Sequence, residues 1–164
     1  MGRIDSFEPI IGNKPTVLIL GTMPSVKSLE VEEYYGFGRN QFWRIMGDLF
    51  GFDRNDPYEF RKACLIKHGI AVWDVMQSCE RKGSLDKDIK NAVYNDIAEL
   101  IEKHPSIKVV IANGSKARDV YNRQFRKVLP QIEMTPYYST SPANAIAYDK
   151  KLKQWQELLD LIDS

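Results

Sequence analysis

Two neighbouring stretches hold the residue types most suggestive of chemistry. Residues 21–25 (GTMPS), here called the first-strand turn, follow a buried apolar run and carry a glycine and a proline. Residues 34–43 (YYGFGRNQFW), here called the aromatic segment, contain Tyr34 and four further aromatic residues together with Arg39 and Asn40. Aromatic faces next to an amide and a guanidinium suit a flat heterocycle and a phosphate better than a lipid or a metal. A nucleobase is therefore the first hypothesis for the ligand.

Four short apolar runs predict the strands that position these stretches. They are residues 16–20 (TVLIL), 69–75 (GIAVWDV), 108–112 (KVVIA) and 134–139 (MTPYYS). The first and third are rich in Val and Ile without alternation, as in parallel strands that are buried on both faces. The fourth contains Pro136, which predicts an edge strand because proline has no N–H for the ladder.

Helical patterns alternate with these strands. Apolar residues at spacings of three and four predict helices over 42–50, 89–101, 117–125 and 152–162, and Pro57 begins a fifth. For the second of these we expect a cap at Ser84 or Asp86 and an end at Pro105, and for the third a cap at Ser115. Alternating strands and helices predict a three-layer α/β/α sandwich with a central four-stranded parallel sheet, in one domain spanning residues 1–164.

The carboxyl ends of parallel strands meet at one edge of the sheet, where open α/β folds bind ligands. The sequence places there the first-strand turn, Asp74, Asn113, Ser115 and residues 139–144 (STSPAN), here called the serine loop. This set is rich in amides and hydroxyls and poor in ionisable groups. It lacks the GxGxxG and GxxxxGK[ST] phosphate-binding motifs.

Composition narrows the chemistry further. The chain has 164 residues, 43% of them hydrophobic, and a formal net charge of +1. Cys64 and Cys79 fit neither a metal site nor a disulfide framework, and they predict reduced thiols of a cytoplasmic protein. His68 and His104 are the only histidines, so a histidine-based catalytic triad or a multi-histidine metal site is hard to build. We expect no signal peptide and no membrane span.

The ordered set of motifs resembles one known family. GTMP at 21–24, YY at 34–35, RNQFW at 39–43, WDV at 73–75 and STSPAN at 139–144 look like motifs of the uracil-DNA glycosylase superfamily. The resemblance covers nearly the whole chain and is closest to the hypoxanthine (deoxyinosine) DNA glycosylase branch. It implies a DNA repair enzyme that hydrolyses the N-glycosidic bond of a deaminated base flipped out of DNA, without a metal or cofactor.

On this resemblance Asn40 is the expected catalytic residue, because the branch carries an asparagine in its Arg-Asn-x-Phe-Trp motif. Its amide can hold and orient the attacking water. Many related branches carry an Asp or Asn in the first-strand turn where this chain has Thr22 and Met23, and that departure moves the catalytic role toward Asn40. The alternative is that Asn40 only caps the helix that begins near Gln41, and the two roles are compatible.

Base-binding residues are expected in three places along the chain. They are Gly21, Thr22, Met23, Tyr35, Phe42 and Asp74. The glycine allows the backbone to approach the base closely, and the two aromatic rings are expected to stack on it, although Phe42 also fits the apolar stripe of its helix. An ionised Asp74 accepts hydrogen bonds only, so it favours an N–H edge such as N1–H of hypoxanthine. The alternative is a capping or loop-ordering role.

DNA-binding residues are expected around the same edge. They are Pro24, Ser25, Arg39, Asn113, Ser115, Lys116, Ser139, Ser141, Pro142 and Asn144, with a wider basic face at Arg118, Arg123, Arg126 and Lys127. The serine loop resembles the second superfamily motif, His-Pro-Ser-Pro, with Ser139 in place of the histidine. Donation to the leaving base must then come from a hydroxyl or an amide. The alternatives are a plain loop before the last helix and, for Ser115, helix capping alone.

No lysine stands obviously among the strand-end motifs to form a Schiff base, which predicts a monofunctional enzyme. We expect a monomer that acts in the cytoplasm on DNA carrying a deaminated base, hypoxanthine above all and uracil second. One alternative is a G:T/U mismatch-specific uracil/thymine DNA glycosylase. The other is a non-catalytic nucleotide or nucleic-acid binding module on the same fold, which the loss of the usual first-motif acid or amide and second-motif histidine keeps open.

Overall fold

The computed structural model describes residues 2–162. The strands in chain order are β1 (Ile4–Asp5), β2 (Val17–Gly21), β3 (Ile70–Asp74), β4 (Met76–Glu80), β5 (Lys90–Tyr94), β6 (Val109–Asn113) and β7 (Glu133–Tyr137). The helices are α1 (Val26–Val31), α2 (Phe42–Phe50), α3 (Tyr58–Lys67), α4 (Ile97–Lys103), α5 (Ser115–Gln124), α6 (Tyr148–Trp155) and α7 (Glu157–Ile162).

The central sheet confirms the predicted architecture. Its four strands are parallel and lie in the order β3-β2-β6-β7. All five residues of β2 are buried, as expected for an inner strand covered on both faces. Pro136 lies on the edge strand β7 and is exposed. An edge strand tolerates proline because the hydrogen bonds between inner strands do not need its missing N–H.

Alternate residues of β2 point into two separate cores. Val17 and Ile19 pack on one face with α2, α3, α6 and α7, whereas Leu18 and Leu20 pack on the other with α4, α5 and β4. This is the period-two alternation of a strand. The three-layer sandwich follows from it, because each face of the sheet is covered by its own set of helices.

A second sheet corrects the prediction for residues 84–95. β1, β4 and β5 form a three-stranded antiparallel sheet in the order β1-β4-β5, where a helix capped by Ser84 or Asp86 was expected. Ile89 and Val93 have helical spacing. However, Val93 lies in β5 and Ile89 directly precedes it, and the backbone of β5 pairs with β4. The helix begins only at Ile97, and Asp96 caps it by accepting a hydrogen bond from the Glu99 N–H at 3.0 Å.

Smaller differences concern helix ends. Helix α5 begins at Ser115 itself, and its N-cap is Gly114 at φ 100°, so Ser115 is not the cap. The last predicted helix is divided at Gln156 into α6 and α7, and α1 was not predicted. None of the helices in the described residues 2–162 is both long enough and apolar enough to cross a membrane.

Candidate active site

An open cavity of about 1170 Å³ lies at the carboxyl edge of the central sheet. The first-strand turn, the ends of β3 and β6, much of the aromatic segment and the serine loop all line it, so the strand ends converge as predicted. Of the predicted catalytic, base-binding and DNA-binding residues, only Phe42 is absent from its lining. Of the wider basic face, Arg118 lines the cavity, whereas Arg123, Arg126 and Lys127 do not. Neither histidine lines it, and within residues 2–162 no group of three or more His, Cys, Asp or Glu is placed to hold a metal ion.

Two polar side chains meet over the end of β2, at Gly21. A Cβ atom on this glycine would lie 2.7 Å from Asp74 Oδ1 and 2.8 Å from the Tyr35 hydroxyl. Both distances are below any ordinary carbon–oxygen contact. The absent side chain therefore provides the space in which the carboxyl and the phenol converge.

Asn113 connects three of the segments around the cavity. It is buried, and its Nδ2 donates to the Tyr35 hydroxyl at 3.2 Å and to Thr140 Oγ1 at 3.0 Å. Its Oδ1 accepts from the Thr140 N–H at 3.0 Å. The side chain is therefore used inside the protein to hold the aromatic segment and the serine loop on the end of β6. A direct contact with DNA, as expected from the sequence, stays a prediction.

Tyr35 lies on the cavity wall and Phe42 lies behind it. The two rings stack with centroids 4.1 Å apart and an interplanar angle of 23°. Phe42 has no exposed surface and belongs to the core under α2, so the prediction that it stacks on a base is wrong. Phe42 belongs to the apolar stripe of its helix, and from the core it supports the Tyr35 ring. Tyr35 has φ 54°, a left-handed conformation that is rare outside glycine.

Asp74 is buried at the bottom of the cavity, with 3% of its surface exposed. Burial raises the pKa of its carboxyl to about 7, although a hydrogen bond from Ser6 Oγ to Oδ2, at 2.7 Å, opposes the rise. At neutral pH this group is thus divided between a protonated form, which can donate, and an ionised form, which only accepts. The second oxygen, Oδ1, is the one that faces Gly21.

Asn40 lines the cavity and also binds the first backbone N–H of α2. Its Oδ1 accepts a hydrogen bond from the Phe42 N–H at 2.9 Å, so it serves a capping role even though Gln41 occupies the N-cap position itself. In the described structure no bond uses its Nδ2 hydrogens, so the amide can still donate toward the cavity. The bond at Oδ1 fixes the orientation of this amide.

The first-strand turn is held from below by a buried arginine that the sequence reading missed. Arg81 donates from Nη2 to the Pro24 carbonyl oxygen and from Nε to the Gly83 carbonyl oxygen. The carbonyl oxygens of Gly21 and Thr22 accept from the N–H groups of Val75 and Met76. Arg81 directly follows β4, and because β4 was not predicted, the sequence around Arg81 did not indicate this role.

The serine loop is shaped by its own side chains. Ser139 Oγ accepts from the Ser141 N–H, and Ser141 Oγ accepts from the Ala143 N–H, both at 3.1 Å. Asn144 Oδ1 accepts from the Ile146 N–H at 3.0 Å. Across the described residues no bond uses the hydroxyl protons of the two serines, so each can donate to an anion in the cavity. Ser25, in contrast, uses its hydroxyl to cap α1, donating to Ser28 Oγ and accepting from the Ser28 N–H.

The rim of the cavity carries residues of both kinds, charged and apolar. Lys116 and Asp86 both line the cavity. Desolvation of the Asp86 carboxyl raises its pKa, and the charge of Arg81, a hydrogen bond with Thr22 and the charge of Lys116 oppose the rise. Phe37 and the exposed Leu85 also line the cavity and were not predicted. The position of Phe37 in the aromatic segment could have predicted it as a lining residue, whereas no sequence pattern indicates this for Leu85.

Comparisons with known proteins agree with this geometry. Residues 9–162 match the model of the uracil DNA glycosylase superfamily. A protein of Methanosarcina barkeri named hypoxanthine DNA glycosylase is 32% identical over 152 residues, which is 92% of this chain and 94% of that protein. Its namesake from Methanosarcina acetivorans is 31% identical over 151 residues, with the same coverage.

A solved structure is similar over the full length of the chain. It is a solution NMR structure from Methanosarcina acetivorans, described as a candidate uracil DNA glycosylase. The TM-score is 0.86 at 28% sequence identity, and the match covers 99% of this chain and 100% of the other. The fold is therefore that of the superfamily.

The role of Gly21 can be tested by adding one methyl group. We expect Gly21→Ala to lower the free energy of unfolding by about 1–3 kcal/mol, because Tyr35 and Asp74 must both move while other residues hold them. Chemical denaturation measures this. The matched control is Gly38→Ala, whose Cβ would meet nothing within 4 Å, with an expected change within about 0.5 kcal/mol. Equal effects of the two substitutions would contradict the steric argument.

The pKa of Asp74 predicts a pH-dependent stability. The folded protein retains a proton on this carboxyl up to about pH 7, whereas an ordinary carboxyl, with a pKa of 3.8, has lost it. Between these values the unfolded state binds fewer protons, so the Asp74 contribution to the free energy of unfolding falls as pH rises. Asp74→Asn should therefore gain stability relative to the wild type across this window. A difference independent of pH in denaturation at pH 5 and pH 8 would overturn the assignment.

Proposed function

The chain belongs to the uracil DNA glycosylase superfamily, and we propose that it is a monofunctional DNA glycosylase that removes deaminated bases, chiefly hypoxanthine and secondarily uracil. The observation that carries the proposal is the single cavity in which Asn40, Asp74 and Tyr35 lie together at the sheet edge. The two relatives named hypoxanthine DNA glycosylases support the choice of base.

The reaction is the hydrolysis of one bond. A water molecule attacks C1′ of the deoxyribose, and the bond from C1′ to the base nitrogen breaks with its electron pair leaving on the base. The base then gains a proton and C1′ keeps the hydroxyl, which leaves an abasic site. The transition state resembles an oxocarbenium ion, so the enzyme must place the water and stabilise the negative charge that develops on the base.

Asn40 is the residue we assign to the water. Its orientation is fixed because Oδ1 accepts from the Phe42 N–H, and the remaining lone pair and the Nδ2 hydrogens can hold a water on the cavity side. Such fixed positioning provides a large part of the rate in reactions that bring two partners together. The chain has no carboxylate in the first-strand turn, so a positioned but weakly activated water fits a base that is already a good leaving group.

Asp74 and the first-strand turn are assigned to the edge of the base. When ionised, Asp74 accepts from N1–H of hypoxanthine, and when protonated it donates to a carbonyl oxygen. The pKa of about 7 makes both forms available near neutral pH. Hypoxanthine and uracil each present an N–H next to a carbonyl, which is the pattern such a carboxyl can read.

Tyr35 and the aromatic segment are assigned to the face of the flipped base. Stacking on an aromatic ring contributes roughly 1–3 kcal/mol per base, and extrusion from the duplex costs a few kcal/mol, least for a mismatched base. One stack and the hydrogen bonds to the base edge are therefore of the size needed to offset extrusion. Phe37, which also lines the cavity, is a second surface of the same kind.

The phosphates of the damaged strand are assigned to the serine loop and the cations of the rim. Ser139 and Ser141 can donate their hydroxyl protons, and Arg39 adds a charge. Lys116, at the start of α5, adds a second cation to the lining of the cavity. Hydrolysis without a Schiff base stays a prediction. The cytoplasmic location and the monomeric state stay predictions.

A substrate panel tests the proposed function. Oligonucleotides with deoxyinosine, deoxyuridine or deoxyxanthosine, single-stranded and opposite each normal base, are incubated with the protein and then treated with alkali. We expect cleavage at deoxyinosine first and at deoxyuridine more slowly, with no cleavage before alkali. Cleavage only at uracil or thymine in G:U and G:T pairs would favour the mismatch-specific enzymes. Binding without release of any base would leave the non-catalytic alternative.

Substitution of Asn40 tests its assignment separately from its capping role. We expect Asn40→Ala to lower the single-turnover rate of base release by about 100-fold or more, as for other positioned donors, with DNA affinity nearly unchanged. Asn40→Ser is the matched variant, because its hydroxyl can still accept from the Phe42 N–H but is too short to hold the water. If Asn40→Ser keeps the wild-type rate, Asn40 acts only as a cap.

A further inference from the structure

A second, smaller pocket of about 440 Å³ opens beside the active-site cavity and shares Arg39, Pro142 and Asn144 with it. We call it the basic pocket. Its lining residues are Gly38, Arg39, Gln41, Arg44, Arg54, Pro142, Asn144 and Lys151. Four of these eight carry a positive charge, and no carboxylate within residues 2–162 lines the pocket. None of the four cations forms an ion pair with any part of the chain that the structure describes.

Lys151 is the most unusual member of the basic pocket, because only 1% of its surface is exposed. Its Nζ donates to the carbonyl oxygens of Asn144 at 3.0 Å and Ser141 at 3.4 Å. Two of its three protons are thus used by neutral acceptors of the serine loop. Burial lowers the pKa of this amine, and a buried ammonium is stable only when its charge is compensated. The pocket is the side from which an anion can supply that compensation.

Gln41 adds an unpaired polar group to the lining of the same pocket. Its Oε1 is buried and has no hydrogen-bond partner among the described residues, although its backbone N–H donates to the Thr140 carbonyl oxygen. A half turn of the amide exchanges oxygen for nitrogen with no change of shape. The site would then present an N–H donor, which an anion requires.

Stacking on an aromatic ring orients one arginine of the basic pocket. The Arg44 guanidinium lies 3.6 Å from the centre of the Tyr148 ring, which fixes its plane. The nearest acidic residue on the same helix, Asp48, accepts a hydrogen bond from the Tyr148 hydroxyl and forms no ion pair with Arg44 among the described residues. Arginine forks match the paired oxygens of a phosphate.

We propose that the basic pocket binds a backbone phosphodiester of the damaged strand, close to the flipped nucleotide. This inference rests on the proposed function for the identity of the strand. The shared wall at Arg39, Pro142 and Asn144 lets one strand pass from the active-site cavity into the basic pocket, since successive phosphates lie a few ångströms apart along DNA. The volume exceeds a lone phosphate and also admits the adjoining sugar.

The test removes two charges from the exposed part of the pocket and leaves Lys151 in place. For Arg44→Gln with Arg54→Gln, we expect the Kd for a duplex carrying a tetrahydrofuran abasic-site analogue to rise about tenfold at moderate salt. The slope of log K against log salt should fall by about one. The control, Lys14→Gln with Lys67→Gln, removes the same charge just before β2 and β3, at the opposite end of the sheet, and should leave the slope nearly unchanged. A double variant that behaves like the control overturns the proposal.

Neutral linkages identify the phosphate. In a scan with single methylphosphonates along the damaged strand, one linkage near the lesion should weaken the wild type about tenfold and weaken the double variant no further. A merely structural loss would not couple to a single linkage. If every linkage affects both proteins equally, the pocket does not bind the strand.

Inorganic phosphate distinguishes the other source of the same chemistry. If phosphate raises the Tm of the wild type and not of the double variant, while the two bind DNA equally, the pocket is a site for a free anion and the proposal is wrong. Binding is measured without base release, so a failed substrate panel with intact linkage coupling would overturn only the proposed function. Base release by the wild type without coupling would overturn only the basic pocket.

Discussion

The close approach over Gly21 is the constraint on which the candidate site depends. Asp74 Oδ1 and the Tyr35 hydroxyl both come within the space that any side chain on β2 would fill. They reach it from different segments, one from the neighbouring strand and one from a loop that carries a left-handed Tyr35. A glycine at the end of a buried strand thus determines where the carboxyl and the phenol meet, which is the place where the proposed function puts the edge of the base.

That arrangement is stable because neighbouring segments hold one another. Asn113 joins the aromatic segment to the serine loop, Phe42 supports the Tyr35 ring from the core, and Arg81 holds the first-strand turn from below. Each of these residues is buried. A site whose polar groups are fixed by buried partners pays little reorganisation cost on binding, which is the physical basis of preorganised recognition.

The central sheet could be predicted from the sequence because Val- and Ile-rich runs without alternation are typical of parallel strands buried on both faces. The cavity could be predicted because the carboxyl ends of parallel strands meet at one edge of the sheet. The sequence did not predict the second sheet. Ile89, Val93 and Ile97 repeat every four residues as in a helix, and only pairing with β4 reveals that the first two belong to a strand region. The prediction for Phe42 was wrong for a related reason. Its neighbours in sequence suggested contact with a ligand, whereas its side chain packs in the core. Contacts distant in sequence, such as those of Arg81, leave no local pattern to read.

Charge is divided between the two regions of the site. Where the base is proposed to bind, the groups are amides, hydroxyls and one carboxyl whose pKa of about 7 divides it between its neutral and ionised forms. The permanent cations lie at the rim and in the basic pocket. Phosphate contacts give affinity without sequence information, and contacts to the base edge give selectivity. On the proposed function, this separation would let the protein hold any DNA strand through the cations while the interior accepts only a base whose donors and acceptors fit. A formal net charge of only +1 is compatible with that proposal, since cations are concentrated in one pocket beside the cavity.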